Sequence, residues 1–528
     1  MGVTACPDPH EEPRAPGPTS DGRPGHGPPP RTAASPPNPR PSRPASPTPP
    51  ANADTLRRTV TRQRTQHVDK AADVLAIFGV SGDLAKKMTF RALYRMQKAG
   101  VLDCPIVGVA LDDWDDEALR GHARAAVEAT VAEPDGDALD AMLARLSYVQ
   151  GDYGDAATYE RVAQALADAR QPVFYLEIPP SLFATVVQGL GKAGLVDRAH
   201  VVIEKPFGHD LESARALNQE LREVLEEGQI LRIDHYLGKE PVLDITYLRF
   251  ANSILEPVWN RNYVSHVQMT IAENFGVDDR GRFYDAVGAM RDVIQNHALQ
   301  VLALIGMEPP SGNDPDSVRD KKLEFFRAMR AADPRRYVRG QYDGFLAVKD
   351  VDPKSTTETF AALELEVDNW RWSGVPFFVR AGKCLPEKTS EVTAVFRRPP
   401  LLGIGHGKTP EPNQMTFRIE PAPGSRMRMF QKKATAEEFE PADMEMLFEH
   451  EPGADPEPYE RLLGDALNGV HTLFTRQDGI EETWRVVQPL LDEPGPAHPY
   501  EPGTWGPAEA DDLVRGITHW SDPWLPNS

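Results

Sequence analysis

Cysteine is scarce in this chain of 528 residues: there are three, Cys6, Cys104 and Cys384, with no repeated spacing. That excludes a disulfide framework and a cysteine-based zinc site, and it fits a reducing compartment. Long apolar runs are missing too. No stretch reaches the roughly 18–20 residues needed to cross a bilayer, and the N-terminus lacks the apolar centre of a secretory signal. Nor is there an excess of positive charge: 58 Lys and Arg stand against 79 Asp and Glu, a formal net charge of −21. The molecule as a whole therefore repels nucleic acid and anionic membrane, and any phosphorylated ligand must be held by local cations. Together these absences predict a soluble, cytoplasmic protein.

Proline, by contrast, is abundant, with 50 in the chain and many of them in the first fifty residues. Pro7 to Pro50 is rich in Pro, Arg, Ser and Gly and nearly free of large apolar side chains. It cannot bury enough surface to offset its ordering entropy, which predicts a disordered tail over residues 1–70. The basic stretch Thr55–Arg64 near its end has two readings, a regulatory or partner-binding arm and a solvated extension that includes, in part, a misplaced start codon.

Beyond the tail the length predicts more than one core. Val74–Phe78 is a short apolar run bounded by glycine, as a buried strand should be. Pro105–Ala110, Pro172–Leu176 and His200–Ile203 read as further strands with amphipathic helices between them. That alternation predicts an α/β domain with a parallel sheet covered on both faces, over residues 71–233. After about residue 240 the texture changes. Val264–Ile271 and Thr359–Val367 alternate with period two, and a long helical pattern, Asp285 to Ile305, lies between them. Residues 234–528 are therefore expected to form an α+β domain with a large, mainly antiparallel sheet.

Gly79–Ala85 (GVSGDLA) follows the first strand and opens a helix. Glycines permit a tight turn and close backbone approach, and the helix N-terminus offers free amides to a pyrophosphate. A plain glycine turn is the competing reading, since the motif is G-x-x-G only. On the first reading Gly79, Ser81, Gly82, Asp83 and Leu84 are candidate cofactor contacts. The end of the second strand usually reads the ribose 2′ position, with an acid for NAD and an Arg for the 2′-phosphate of NADP. Here Leu111, Asp112 and Asp113 stand there, with no Arg or Lys before Arg120. Either the aspartates disfavour a 2′-phosphate, or they cap the following helix.

Three segments carry the chemistry. Glu204–Gly208 (EKPFG) ends a strand on the expected ligand edge, where Lys205 can reach both cofactor and substrate. Arg232–Lys239 (RIDHYLGK), if helical, places His235 and Lys239 on one face as phosphate donors and turns Asp234 about 100° away. Arg291–Gln300 (RDVIQNHALQ) puts Val293, His297 and Val301 on one face of the long helix, so from this segment alone His297 reads as a core histidine with one satisfied nitrogen.

Together, and in this order, the glycine loop, EKPFG, RIDHYLGKE, RDVIQNH, Arg380–Lys383 (RAGK), Tyr459–Asp465 and Tyr500–Gly506 resemble the glucose-6-phosphate dehydrogenases, over about residues 72 to 520. The resemblance implies a Rossmann-type dinucleotide-binding domain and C1 oxidation of D-glucose 6-phosphate to 6-phospho-D-glucono-1,5-lactone, in the oxidative pentose phosphate pathway. It implies His297 as general base and Asp234 as its carboxylate partner. His235, Tyr236, Lys239 and Lys388 would clamp the phosphate, Lys205 and Lys383 would reach both substrate and cofactor region, and Glu273 and Asp292 would bind sugar hydroxyls. It implies no metal, and a homodimer or homotetramer built through the second domain's sheet.

Two positions depart from the family's pattern. NADP-preferring members typically carry Arg where this chain has Leu111, which leaves NADP, NAD or both as the acceptor. Glu177 stands where a small or apolar residue is usual. Two other readings compete: a paralogue oxidising another sugar phosphate or an unphosphorylated sugar, and a catalytically silent nucleotide-binding regulator. The intact clamp argues against an unphosphorylated substrate. The presence of His297, Asp234, Lys205 and Lys239 argues against silence.

Overall fold

Val74–Phe78, five apolar residues in a row, is buried along its whole length and forms β1. A strand with no polar face needs cover on both sides, which only a sheet sandwiched between helices provides. Strands β2 (Ile106–Ala110), β3 (Leu146–Gln150), β4 (Pro172–Leu176), β5 (His200–Ile203) and β6 (Ile230–Arg232) join it. All pair in parallel, in the order β3-β2-β1-β4-β5-β6. In such a sheet the ligand crevice lies at the C-terminal edge, where the order reverses between β1 and β4. The computed structural model describes residues 72–526 apart from 167, 402, 406–407 and 449–455. The expected tail, residues 1–70, lies outside the described residues.

The second sheet has nine strands: β7 (Val264–Ala272), β8 (Tyr337–Tyr342), β9 (Phe360–Glu366), β10 (Pro376–Gly382), β11 (Thr389–Phe396), β12 (Gln414–Glu420), β13 (Gly424–Lys432), β14 (Phe439–Leu447) and β15 (Ala497–Tyr500). Their order is β14-β13-β12-β11-β7-β10-β9-β8-β15. Only β7 with β10 and β8 with β15 run parallel, so the sheet is mainly antiparallel as expected. No helix among the described residues is long and apolar enough to cross a membrane.

Two local expectations are corrected. The Asp285–Ile305 helix is not continuous. An α-helix, Gly281–Ala289, kinks at Gly288 (φ 68°, ψ 173°); a π-helical run, Met290–Ala298, follows, and then the α-helix Leu299–Gly306. His235–Gly238 is a short 3-10 turn, and Lys239 is extended (φ −73°, ψ 127°) at the head of the helix Glu240–Ala251. His235 and Lys239 are therefore not successive turns of one helix. Pro241 at the start of that helix fits this break.

The helix Pro458–Leu467 returns to the first sheet. Tyr459, Leu462, Leu463 and Ala466 join the core that holds Leu75, Leu93 and Met96.

Candidate active site

The turn after β1 brings its backbone against the end of β4. Gly79 has φ 87°, and a Cβ there would stand 2.4 Å from the Glu177 carbonyl oxygen, so only glycine fits. Glu177 N donates to Phe78 O at 2.9 Å across the same junction. The helix that follows makes its first bond from Lys86 N to Gly82 O (3.1 Å), which leaves the amides of the first turn without helical partners. Asp83 and Leu84, in that turn, line a cleft of about 770 Å³ at the C-terminal edge of the sheet. A glycine turn, in which the Gly82 amide bonds back to Gly79 O at 2.9 Å, a helix N-terminus and an open cleft in front of it fit the pyrophosphate of a dinucleotide. Ser81 and Gly82 complete the turn but do not line the cleft.

The same cleft is lined by Glu204, Lys205, His235, Tyr236, Lys239, Glu273, Asp292, His297 and Lys388. Its centre is His297, buried, with Nδ1 donating to Asp234 Oδ1 at 2.5 Å. Nε2 lies 3.0 Å from Lys205 Nζ. A proton on Nδ1 leaves a lone pair on Nε2 to accept from Lys205, so these two contacts fix one neutral tautomer. Lys205 Nζ also donates to Asp292 O (2.8 Å) and Asp292 Oδ1 (3.1 Å). The π-helical run makes this possible. In an α-helix Asp292 and His297, five residues apart, would point about 140° apart, whereas i→i+5 bonding brings residues five apart back onto one side.

Asp234 is held by the turn it begins, its Oδ1 accepting also from Tyr236 N at 3.0 Å. The Tyr236 ring stacks on His297 (4.4 Å, 14°), and Lys239 Nζ sits 4.0 Å from the centre of the Tyr236 ring. His235 packs edge-on against His297 at 4.5 Å. Burial pushes the His297 imidazole below its usual range; Lys205 adds to that while Asp234 opposes it. Burial raises the Asp234 carboxyl, but its hydrogen bond with His297 and the positive charge of Lys205 outweigh burial and hold it low. The pair is thus a carboxylate and a neutral imidazole at neutral pH. Asp234, His235 and His297 also form a group of potential metal donors within 4.8 Å of one another. The ammonium of Lys205 at Nε2 opposes a metal cation there.

Each remaining lysine meets a carboxylate. Lys383 donates to Glu273. Lys239 Nζ is 3.1 Å from Glu420 Oε1, and Lys388 Nζ is 3.4 Å from Glu420 Oε2. Ser390 Oγ donates to Glu420 Oε1 at 3.2 Å and lies 3.2 Å from the Tyr236 hydroxyl. Glu420, Ser390 and Tyr459 all line the cleft and none was singled out from sequence. The Tyr459 ring lies parallel to His235 at 6.4 Å. The presence of Tyr459 in the motif Tyr459–Asp465 was the one available signal; Glu420 had none.

Asp112 is not brought to this cleft. It is exposed beyond β2, its carbonyl accepting from Tyr148 Oη at 2.8 Å. The helix-cap reading of Asp112 and Asp113 is corrected: Asp115 caps the helix Asp116–Thr130 by accepting from Ala118 N at 2.8 Å. A second opening of about 530 Å³ beside β2 is lined by Leu111, Tyr148, Gln150, Asp152 and Arg161. Arg161, from the helix after β3, is thus a basic side chain near the strand end that sequence order did not reveal.

Comparisons with known proteins agree on one family. Residues 76–244 match "Glucose-6-phosphate dehydrogenase, NAD binding domain" and residues 246–521 match "Glucose-6-phosphate dehydrogenase, C-terminal domain". The chain is 52% identical over 457 residues to "Glucose-6-phosphate 1-dehydrogenase 1" of Mycobacterium tuberculosis, covering 86% of this chain and 97% of that one. It is similar to the crystal structure of glucose-6-phosphate 1-dehydrogenase from Mycobacterium avium, at 51% identity and TM-score 0.83, covering 87% of this chain and 100% of that one. A structure described as glucose-6-phosphate dehydrogenase in complex with its substrate glucose-6-phosphate matches at 33% identity and TM-score 0.80, covering 86% and 100%.

Proposed function

The chain belongs to the glucose-6-phosphate dehydrogenase family, and from that premise we propose how its residues divide the reaction. The protein oxidises D-glucose 6-phosphate at C1 to 6-phospho-D-glucono-1,5-lactone, with a nicotinamide dinucleotide as hydride acceptor. The observation that carries our assignment is the convergence of Asp234 and Lys205 on the two nitrogens of one buried imidazole.

In this reading His297 Nε2 takes the proton of the C1 hydroxyl as the hydride leaves C1. Asp234 keeps the Nδ1 proton in place and stabilises the imidazolium that forms. Lys205 can yield Nε2 to the substrate hydroxyl because Asp292 still satisfies it through two oxygens. His235, Tyr236, Lys239 and Lys388 are assigned the phosphate, and Glu273, Asp292 and Lys383 the sugar hydroxyls. The turn Gly79, Ser81, Gly82, Asp83 and Leu84, with Lys205, would hold the dinucleotide, which when bound supplies the hydride acceptor.

The acceptor itself we read as either dinucleotide, with NAD used on terms comparable to NADP. Exposed Leu111 followed by Asp112 offers a 2′-phosphate one repulsive charge and no cation of its own, which leaves Arg161, in the same opening, as its cationic lining residue. Initial rates with NAD and NADP side by side, at fixed glucose 6-phosphate, test this; an NADP preference above about 100-fold refutes it, and loss of that preference in Arg161→Ala would identify the cation responsible. For the base, His297→Asn should lower kcat roughly 10²–10⁴-fold with substrate binding retained. Near-normal turnover would overturn the assignment, and equal rates on glucose and glucose 6-phosphate would overturn the phosphate clamp. We further place the protein in the cytoplasm as a homodimer or homotetramer joined through the nine-stranded sheet. The apolar Met429, Met444 and Met446, exposed on one face of β13 and β14, support that face.

A further inference from the structure

Glu420 occupies the position that the proposed clamp should keep for an anion. Its carboxylate ends β12, directly opposite Ser390 in the ladder with β11. Oε1 accepts from Lys239 Nζ (3.1 Å) and Ser390 Oγ (3.2 Å), and Oε2 faces Lys388 Nζ at 3.4 Å. Ser390 in turn contacts the Tyr236 hydroxyl. Four groups suited to a phosphate are thus organised around a carboxylate supplied by the protein. Burial pushes the Glu420 carboxyl up, but Lys239 and Lys388 outweigh that and keep it ionised. We propose that Glu420 is a specificity-setting residue, an internal counter-ion that the substrate's phosphate must share or displace to reach Lys239 and Lys388.

The consequence is electrostatic. Two ammonium groups against one carboxylate leave the clamp one net positive charge for an incoming dianion. The lysines are held in place before substrate arrives, and their attraction for any anion is reduced. A sugar phosphate offsets this with hydroxyl contacts elsewhere in the cleft, while a bare inorganic anion has none to offer. Glu420 therefore keeps the site from filling with inorganic phosphate or sulfate. The inference rests on the clamp assigned above and deepens it.

The test is Glu420→Gln, whose amide oxygen can still accept from Lys239 and Ser390. With the full-length protein, KM for glucose 6-phosphate should fall roughly tenfold, the effect of removing one partly screened charge a few ångströms from a dianion. Competitive inhibition by inorganic phosphate should tighten by a similar factor. Glu420→Asp, which keeps the charge on a shorter side chain, should tighten neither constant as Glu420→Gln does. A KM for Glu420→Gln that is unchanged or raised overturns the proposal, as does tighter phosphate inhibition in Glu420→Asp. Lys239→Ala and Lys388→Ala separate the two levels. If they raise KM while Glu420→Gln fails to lower it, the clamp stands and the counter-ion role falls. If they leave KM unchanged, the clamp itself is wrong.

Discussion

His297 lies between two groups that pull its proton affinity in opposite directions, and that opposition gives the site a measurable signature. Lys205 at Nε2 disfavours the imidazolium and Asp234 at Nδ1 favours it, while burial sets the net direction downward. The acid limb of the kcat/KM profile should therefore lie below the usual imidazole value of 6.5. Lys205→Met should move that limb to higher pH and Asp234→Asn to lower pH, each with a large loss of rate. Limbs that move together, or not at all, would detach His297 from proton transfer. Glu177 gives a second signature, in stability. Thr89 Oγ1 donates to its Oε1, but Oε2 is buried with no hydrogen-bond partner. Burial pushes the carboxyl up to about 8, the Thr89 bond opposing and the nearby Glu204 adding to the rise. A raised folded-state pKa means a contribution present in full below the unfolded value and lost as pH climbs toward 8. Glu177→Gln has no such dependence. Relative to the parent protein it should gain stability between pH 5 and pH 8, by at most about 1.4 kcal/mol per pH unit. Urea midpoints at the two pH values check this, and an equal shift at both would contradict it. The departure of Glu177 from an apolar residue thus has a physical cost, and this chain keeps it beside the cofactor crevice.

The π-helical run is the element on which the site turns, and the kink at Gly288 lies two residues before its start. With φ 68° and ψ 173° Gly288 occupies a region open essentially to glycine alone, and a Cβ would stand 2.5 Å from Glu358 Oε1. That carboxylate is already committed, receiving Met290 N at 3.1 Å and Arg339 at 3.0 Å. Gly288→Ala should therefore displace the start of the run, pulling Asp292 and His297 off Lys205. We expect a loss in kcat of at least about tenfold, with a destabilisation of ~1–3 kcal/mol from backbone strain. Unchanged kcat in a destabilised variant would show the run to be insensitive to its anchor. The same element marks the limit of what the sequence discloses. Four strands of the first sheet, β1, β2, β4 and β5, were legible because each is a short, mostly apolar run whose character does not depend on distant partners; β3 (LSYVQ), polar and partly exposed, and the three-residue β6 were not. His297 was legible by resemblance, but its face was misread as that of a regular helix, because the start of the π-helical run is tied to a residue across the fold, Met290 N donating to Glu358 Oε1 at 3.1 Å. The Arg232–Lys239 turn was misread for a similar reason: Asp234 favours capping its own turn over continuing a helix. Glu420 carried no signal at all. Its partner Lys239 lies 181 residues away, and a Glu before a Pro at a strand end looks like any other turn.

At the scale of the whole molecule the chain is threaded so that the first sheet's hydrophobic core is completed by residues from late in the chain. Residues that follow the nine-stranded sheet's β14 return to close the first sheet's core. Leu462, Leu463 and Phe474 are essentially fully buried there. Around them Arg95 pairs with Glu460 at 2.7 Å, Arg91 pairs with Glu457, Ala72 N donates to Leu467 O at 2.7 Å, and Thr475 N donates to Arg232 O at 3.1 Å. Burying three large apolar side chains is worth roughly 1.5–3 kcal/mol each. Their sum is comparable with the roughly 5–15 kcal/mol that holds a whole native protein. A fragment of residues 72–240, which has every strand of the parallel sheet but not the helix Pro458–Leu467, should therefore fail to form a cooperative fold. It should bind a hydrophobic dye and unfold over a broad denaturant range, whereas residues 72–526 should unfold in one transition followed alike by tryptophan fluorescence and far-ultraviolet dichroism. A sharp transition in the fragment would mean that the first sheet is self-sufficient. The returning helix would then serve the site alone, where Tyr459 on its first turn lies parallel to His235. The two outcomes differ in what couples cofactor binding to the catalytic pair: in the first, any loosening of the crevice also loosens the helix behind His235, and the two halves of the cleft can only open together.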